Sequence, residues 1–510
     1  MAILIKNATV LTFEGQDGFE PILASVLIEG DRISAIGEDV VAPDGADIVD
    51  GHGKLVMPGL VNAHLHSGET FFKGRYEHMP LEVWMLYAYP ILPGRKIPAD
   101  LLELRTKLVA LESLKGGVTT LTDDWFDPPT LELDRLAVVF DAYRQSGIRA
   151  TVSDVTMDRN VLDTLPFARE LVPPELQAKV EDPTVSTDAC MEFCRAAFDS
   201  LEGTDGRIRF MVSASAPQRC SDEFMQACCD LAERHGSPLH THVLETKTQA
   251  VTGPEFYGTT LIRHMHDIGV LKPWTTIAHS IWVTEDDMAL MGEADVSIVH
   301  NCVSNQKLGA GVAPVRRLLD AGVNVGLGTD GLCSNDTARI FDVIRAAALI
   351  HGIATPDYSQ LVSAREILYA ATLGGARTAL LENEIGSLAP GKKADLLVIS
   401  MESVDWAPLN DVARHLVYCE NGSGIEKVYV DGKLVVEDGT TLLYDEPELL
   451  AEVRERVPAW LAEHAEIEAA NRIFEPYVAQ IHRRATAQDI GLDRWQGDHP
   501  LWPGVNRPVR

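Results

Sequence analysis

Apolar residues recur at every second position in four short stretches near the start of the chain, residues 3–13, 24–29, 32–36 and 46–50. Gly- and Asp-containing turns separate them, and this period predicts half-buried strands. The same texture returns in residues 394–399 and 427–436. Neither end of the chain has enough strands for a stable layer, whereas the two together do. The pattern therefore predicts a small β-sandwich built from residues 1–58 and 385–440, wrapped around a long insertion.

Within the insertion, β-branched apolar runs of strand length alternate with helix-like segments, the signature of βα units around a parallel sheet. Eight such runs stand out: 55–64, 118–123, 149–156, 207–213, 238–245, 275–280, 296–301 and 323–330. Eight units over residues 59–384 predict an α/β fold of the (β/α)8 TIM-barrel type. A doubly wound open sheet is the rival architecture, but no Gly-x-Gly-x-x-Gly follows an early strand. Residues 441–510 read as a C-terminal extension: an acidic helical segment, then a tail containing Trp495, Pro500, Trp502 and Pro503. Its expected place is a helical cap, with an oligomer contact or a lid over a neighbouring subunit's site as the alternative.

Barrel enzymes carry their chemistry at the C-terminal ends of strands. Strand one ends in His64-Leu-His66, strand five in His240-Thr-His242-Val-Leu-Glu245, strand six in His279 and strand eight in Thr329-Asp330. In a strand, residues two apart share a face, so His64 and His66 can reach one ion. Taken singly each feature has an ordinary explanation: a structural histidine, a turn at Asp330-Gly331, an acidic residue at a helix start for Glu245. Their meeting at one rim predicts a metal site. Imidazoles and a carboxylate without thiolate suit one divalent ion, Zn2+, Fe2+ or Mn2+, with a coordination position left for water. Such an ion brings the pKa of its water to roughly 7, and the resulting hydroxide needs a proton carrier, a duty for which Glu245 is placed.

Composition narrows the partners. Lys and Arg number 44 against 75 Asp and Glu, a formal charge of −31. That balance opposes a nucleic-acid backbone or an anionic membrane surface. No run of roughly 18 apolar residues occurs, which excludes a transmembrane helix. The eight cysteines include no Cys-x-x-Cys, and the N-terminus lacks the pattern of a signal peptide. A soluble, cytoplasmic protein acting on a small molecule is expected.

The frame Pro58-Gly-Leu-Val-Asn-Ala-His64-Leu-His66, with His242-Val-Leu-Glu245, His279 and Gly328-Thr-Asp330-Gly-Leu-Cys-Ser334-Asn335-Asp336, resembles the amidohydrolase superfamily. The segment from His300 through Ser304 and Asn305 to Pro314 is similar to one branch of it. That branch holds methylthioadenosine/adenosylhomocysteine deaminases, guanine deaminase-like enzymes and s-triazine hydrolases. The resemblance spans about residues 1–440. It implies His64, His66, His242 and Asp330 as metal ligands. It implies Glu245 as proton shuttle, His279 as the group that orients the attacking hydroxide and Asp330 as the acceptor of its proton. No lysine ends strand four, so the carboxylated lysine that bridges two metals in other branches is missing, and one metal is expected.

The implied activity is release of ammonia from an aminated nitrogen heterocycle of purine, pterin or triazine type. Cleavage of a C–Cl, N-alkyl, urea or carbamate bond is the alternative, and a non-catalytic scaffold of the same fold a distant one. Expected substrate contacts are Trp84, Trp282, Ser304, Asn305 and Ser334, although Trp84 serves equally well as core. The nucleoside deaminases of this branch carry a His and a Pro-aromatic pair after strand four. Here the stretch reads Ser215-Ala-Pro217-Gln218-Arg219, a departure that weakens a thioadenosine assignment. A homodimer or homotetramer is expected.

Overall fold

The computed structural model describes residues 2–92, 94, 96–126, 131–180, 185–203, 205–353 and 357–494. Trp495, Pro500, Trp502 and Pro503 of the expected tail lie outside the described residues.

Eight parallel strands form the barrel: Leu60–His66, Val118–Trp125, Arg149–Asp154, an interrupted fourth (Ile208–Phe210, Val212–Ser213), Leu239–Val243, Thr275–His279, Ser297–His300, and an eighth that starts at Asn324–Leu327 and resumes at Asp330–Gly331. The two interrupted strands change partner midway. Ile208–Phe210 bonds to strand three and Val212–Ser213 to strand five. Asn324–Leu327 bonds to strand seven, and Asp330–Gly331 pairs with Leu65 and His66 of strand one. These exchanges close the ring.

The apolar run expected as one strand over 55–64 is two strands. Lys54–Pro58 joins the sheet of the chain ends, while Leu60–His66 enters the barrel. Gly59 is the corner, where a Cβ would lie 2.1 Å from Thr119 Oγ1. Nearly every residue on both sides is buried, so periodicity alone carried no sign of the break.

The ends of the chain form one mixed sheet of nine strands, in which Lys54–Pro58 lies between Ala2–Val10 and Leu396–Ser400. The sheet folds over itself: Ile33 N–H donates to Lys392 O (2.9 Å) and Ala394 N–H to Asp31 O (2.9 Å). Its inner face encloses a second core that includes Ile5, Val26, Val56, Leu396, Val398 and Tyr429. This folded sheet, enclosing its own core, is the small β domain expected from the two chain ends. Arg149, at the start of barrel strand three, pins it to the barrel. Its guanidinium donates to Asp395 (Nε–Oδ2 3.0 Å) and also meets Asp431, all three side chains being largely buried.

At the other end of the barrel, helices Glu446–Asn471 and Glu475–Thr486 pack against helix Leu81–Ala88. Phe474 and Val478 share a core with Phe72, Tyr76 and Trp84. The helical extension thus covers the loop that follows strand one. Among the described residues no helix is long and apolar enough to cross a membrane.

Candidate active site

Local backbone geometry aims the polar strand ends inward. Leu244, His279, Ser280 and Asp330 all have left-handed φ angles, of 56°, 77°, 51° and 63°. Non-glycine residues adopt this region at a cost, and such strain gathers at functional sites. Each of these residues sits where strand five, six or eight ends, beside Glu245 or in the cluster of His279 and Asp330. Gly331 is required next to Asp330, because a Cβ there would lie 1.9 Å from Glu69 Oε2.

Four predicted residues converge. His66 Nε2 lies 3.3 Å from His242 Nε2, and Asp330 Oδ1 lies 3.4 Å from the Nε2 of both His64 and His66. Two donors about 2.1 Å from one ion and tetrahedrally disposed are about 3.4 Å apart. The spacing matches. The far nitrogen of each ring is held by a neighbour: His66 Nδ1–H donates to Asp124 O (2.6 Å) and His242 Nδ1–H to Ser215 O (3.0 Å). His64 Nδ1 meets His240 Nε2 at 2.9 Å. These bonds fix the tautomers and turn the Nε2 lone pairs to the common centre. His64 Nε2 is fully buried yet has no hydrogen-bond partner, an arrangement that a bound cation satisfies.

Charge agrees with the geometry. Burial pushes His64 down to about 3 against the pull of Asp330, and burial also drives His242 well below the ordinary range. Both are therefore neutral, as ligands must be. Burial opposes protonation of His66 too, but Asp330, Glu69 and Asp124 outweigh it and raise His66 to about 9. The carboxylates thus call for positive charge at this centre, which a divalent ion supplies without a proton. The donor set fits a divalent metal.

His279 Nε2 stands 3.6 Å from Glu245 Oε2 and 3.9 Å from Asp330 Oδ2, and its Nδ1–H donates to Asn305 Oδ1 (3.0 Å). Burial raises Glu245 to about 7, partly offset by His279. A carboxyl so placed exchanges protons near neutral pH.

The site opens into a pocket lined by His66, His242, Glu245, His279 and Asp330 together with Trp84, Tyr89, Phe126, Met85, Met157, Arg219 and Ser334. Trp84 and Ser334 thus reach the pocket wall, and Trp84 also packs in the core beneath it. Trp282, Ser304 and Asn305 do not line it. Trp282 Nε1–H donates to Ala310 O (3.1 Å) beside an adjacent cavity, Ser304 is buried, and Asn305 holds His279.

Sequence reasoning missed Asp124, Glu69, Tyr89 and Arg219. Asp124 ends strand two, where it belongs to the same cluster of possible ligands as His64, His66 and His242. The pair Asp123-Asp124 at a strand end was the available signal. Glu69 is buried, accepting from Tyr89 O–H at Oε1 (2.5 Å) and from Cys333 N–H at Oε2 (3.2 Å). Those partners come from separate loops, which no local pattern joins.

A closed barrel with three imidazoles and a carboxylate at its C-terminal rim, capped by a sheet from both chain ends, defines a class of metal-dependent hydrolases. The chain belongs to the amidohydrolase family, whose pattern matches residues 55–435. It is 34% identical over 454 residues to a 5'-deoxyadenosine deaminase of Methanosarcina acetivorans, covering 89% of this chain and 96% of that one. A 5-methylthioadenosine/S-adenosylhomocysteine deaminase of Pelotomaculum thermopropionicum is also 34% identical, over 89% of this chain and 98% of its own. Among solved structures, an atrazine chlorohydrolase from Arthrobacter aurescens complexed with zinc superposes with a TM-score of 0.80 at 27% identity, covering 89% of this chain and all of that one (100%). An adenosine deaminase from Xanthomonas campestris with bound zinc gives 0.77 at 26%, over 90% and 98%.

Proposed function

We propose that this protein is a zinc-dependent deaminase of an aminated nitrogen heterocycle, with His64, His66, His242 and Asp330 as ligands. The observation that carries the reading is the shared approach of Glu245 and Asp330 to His279 Nε2, at 3.6 and 3.9 Å, beside the ligand cluster. Held by these residues, a divalent ion would supply a water whose pKa is lowered to roughly 7. His279, its ring fixed by Asn305, orients that water toward the C–NH2 carbon of the substrate. Asp330 takes the water's proton. Protonated Glu245 delivers its proton to the adjacent ring nitrogen. The departing amine would take back the proton held by Asp330, and the remaining hydroxyl proton of the addition product would return to Glu245, so that water and C–NH2 become C=O and ammonia with both carboxyls restored. Trp84, Tyr89 and Phe126 offer flat apolar faces to a ring. The relatives' names, deaminases of adenosine-type compounds, support the same chemistry.

The likeness to an atrazine chlorohydrolase favours a second reading, in which the same groups expel chloride or an alkylamine. Both are tested by incubating the zinc-loaded enzyme with aminopurines, pterins and amino- or chlorotriazines. Ammonia release supports the first reading, while chloride or alkylamine release without ammonia overturns it.

A further inference from the structure

Arg219 ends the turn Pro217–Arg219 that follows barrel strand four, and its side chain lines the pocket. An arginine guanidinium is always charged and presents five N–H donors in a planar fork. When such a group leaves water it is normally matched by carboxylates, as Arg149 is by Asp395 and Asp431. Arg219 is not. Nη1 donates to Ser215 Oγ (3.2 Å) and Nη2 approaches Met85 Sδ (3.2 Å), two weak acceptors, and among the described residues no carboxylate oxygen lies within 4.0 Å. Burial depresses its pKa, and Glu245 is near enough to act on it through space. The cation therefore lines the same pocket as Glu245 and His279, with donors to spare. A second donor belongs to the pocket wall: among the described residues Trp84 Nε1–H is buried without a partner, in a side chain that lines the pocket.

We infer that Arg219, assisted by Trp84, recognises a carbonyl or enolate oxygen on the substrate ring, so that the preferred substrate is an aminated heterocycle bearing an oxo group. The inference rests on the deaminase reading for its substrate class. An exocyclic oxygen accepts two hydrogen bonds from one guanidinium edge, which satisfies donors that the protein leaves open. A ring without that oxygen leaves these half-buried donors without a ligand partner, and a site built for a polar group rejects the analogue lacking it far more strongly than a missing methylene. A nucleoside whose base carries no oxo group would not use this donor wall.

The test uses matched pairs with the zinc-loaded full-length protein: isoguanine against adenine, guanine against 2-aminopurine, and pterin against 2-aminopteridine. Ammonia release gives kcat/KM, and calorimetric binding of the same rings to Glu245→Gln gives Kd without turnover. In at least one pair the oxo ring is expected to be preferred about 100-fold. Arg219→Met is expected to cut that ratio at least tenfold, mainly through KM, with Arg219→Lys intermediate. Zinc content and melting temperature check that each variant is folded. Preference for the ring without oxygen in every pair, or an equal loss on both members in Arg219→Met, overturns the inference. Should no ring release ammonia while Arg219→Met still weakens binding of the oxo ring selectively, the deaminase reading falls and the recognition role stands.

Discussion

Replacing Glu245 with Gln isolates proton transfer from everything else in the site. The side chain projects just beyond strand five, after the left-handed turn at Leu244, and its backbone N–H donates to Gln249 Oε1 (2.9 Å), an anchor the substitution leaves intact. Oε2 meets His279 Nε2 at 3.6 Å, whereas Glu245 is not among the clustered groups His64, His66, Asp124, His242, His279 and Asp330 that could hold the ion. The amide has the shape of the acid but neither takes nor gives a proton at neutral pH. Acid–base catalysis by one positioned group contributes about 10²–10⁴ in rate, or roughly 3–5.5 kcal/mol of barrier at about 1.4 kcal/mol per decade. Burial already disfavours the ionised carboxyl, so the neutral amide is expected to leave the melting temperature unchanged or higher. Ammonia release at saturating substrate measures kcat, and mass spectrometry measures zinc per chain in the same sample. The expected result is a loss of kcat of at least 100-fold with zinc retained. Activity within about fivefold of the parent would refute the role of Glu245, and so would a loss accompanied by missing zinc.

His240→Ala removes the partner of His64 Nδ1, and loss of such a support is expected to weaken zinc binding roughly 10–100-fold in chelator competition, with His240→Gln milder. Arg149→Met leaves Asp395 and Asp431 without their shared cation at the junction of barrel and sheet. Breaking a buried pair on one side costs about 3–5 kcal/mol, to be read as a lower urea midpoint. His351 is buried against His300, and burial holds its pKa down to about 4 from 6.5. The unfolded chain therefore binds this proton first. The stability contributed by the neutral ring is complete above pH 6.5 and falls away as the pH drops toward 4, by about 3 kcal/mol at about 1.4 kcal/mol per unit. His351→Phe is expected to shrink the gap in melting temperature between pH 7.5 and pH 5; an unchanged gap assigns the acid sensitivity elsewhere.

Much of the molecule was written in the order of its residues. Strand periodicity, the spacing of eight βα units and the polar residues that end those strands sufficed for the barrel, for the pairing of the two chain ends, and for placing His64, His66, His242, Glu245, His279 and Asp330 at strand ends that meet at one rim. Each of these is a local pattern, a period of two or a residue at a strand terminus, and such patterns survive folding because the backbone's hydrogen bonding enforces them. The corner at Gly59 was not legible, since burial on both faces of both strands erased the alternation that marks a boundary. Nor was the lining of the pocket. Asn305 lies three residues past Cys302 in a short helix, and only the third dimension shows that it grips His279 and leaves the pocket wall to others. Glu69 and Tyr89 reach the site from the connection after strand one and Arg219 from that after strand four, and their meeting depends on the closure of strand eight onto strand one and on the helical extension packed above. The sequence by itself thus determined the chemistry available at the rim, because strand ends are local features. Which ring fits against that rim was decided by tertiary packing, because the walls are built from side chains that no periodicity brings together.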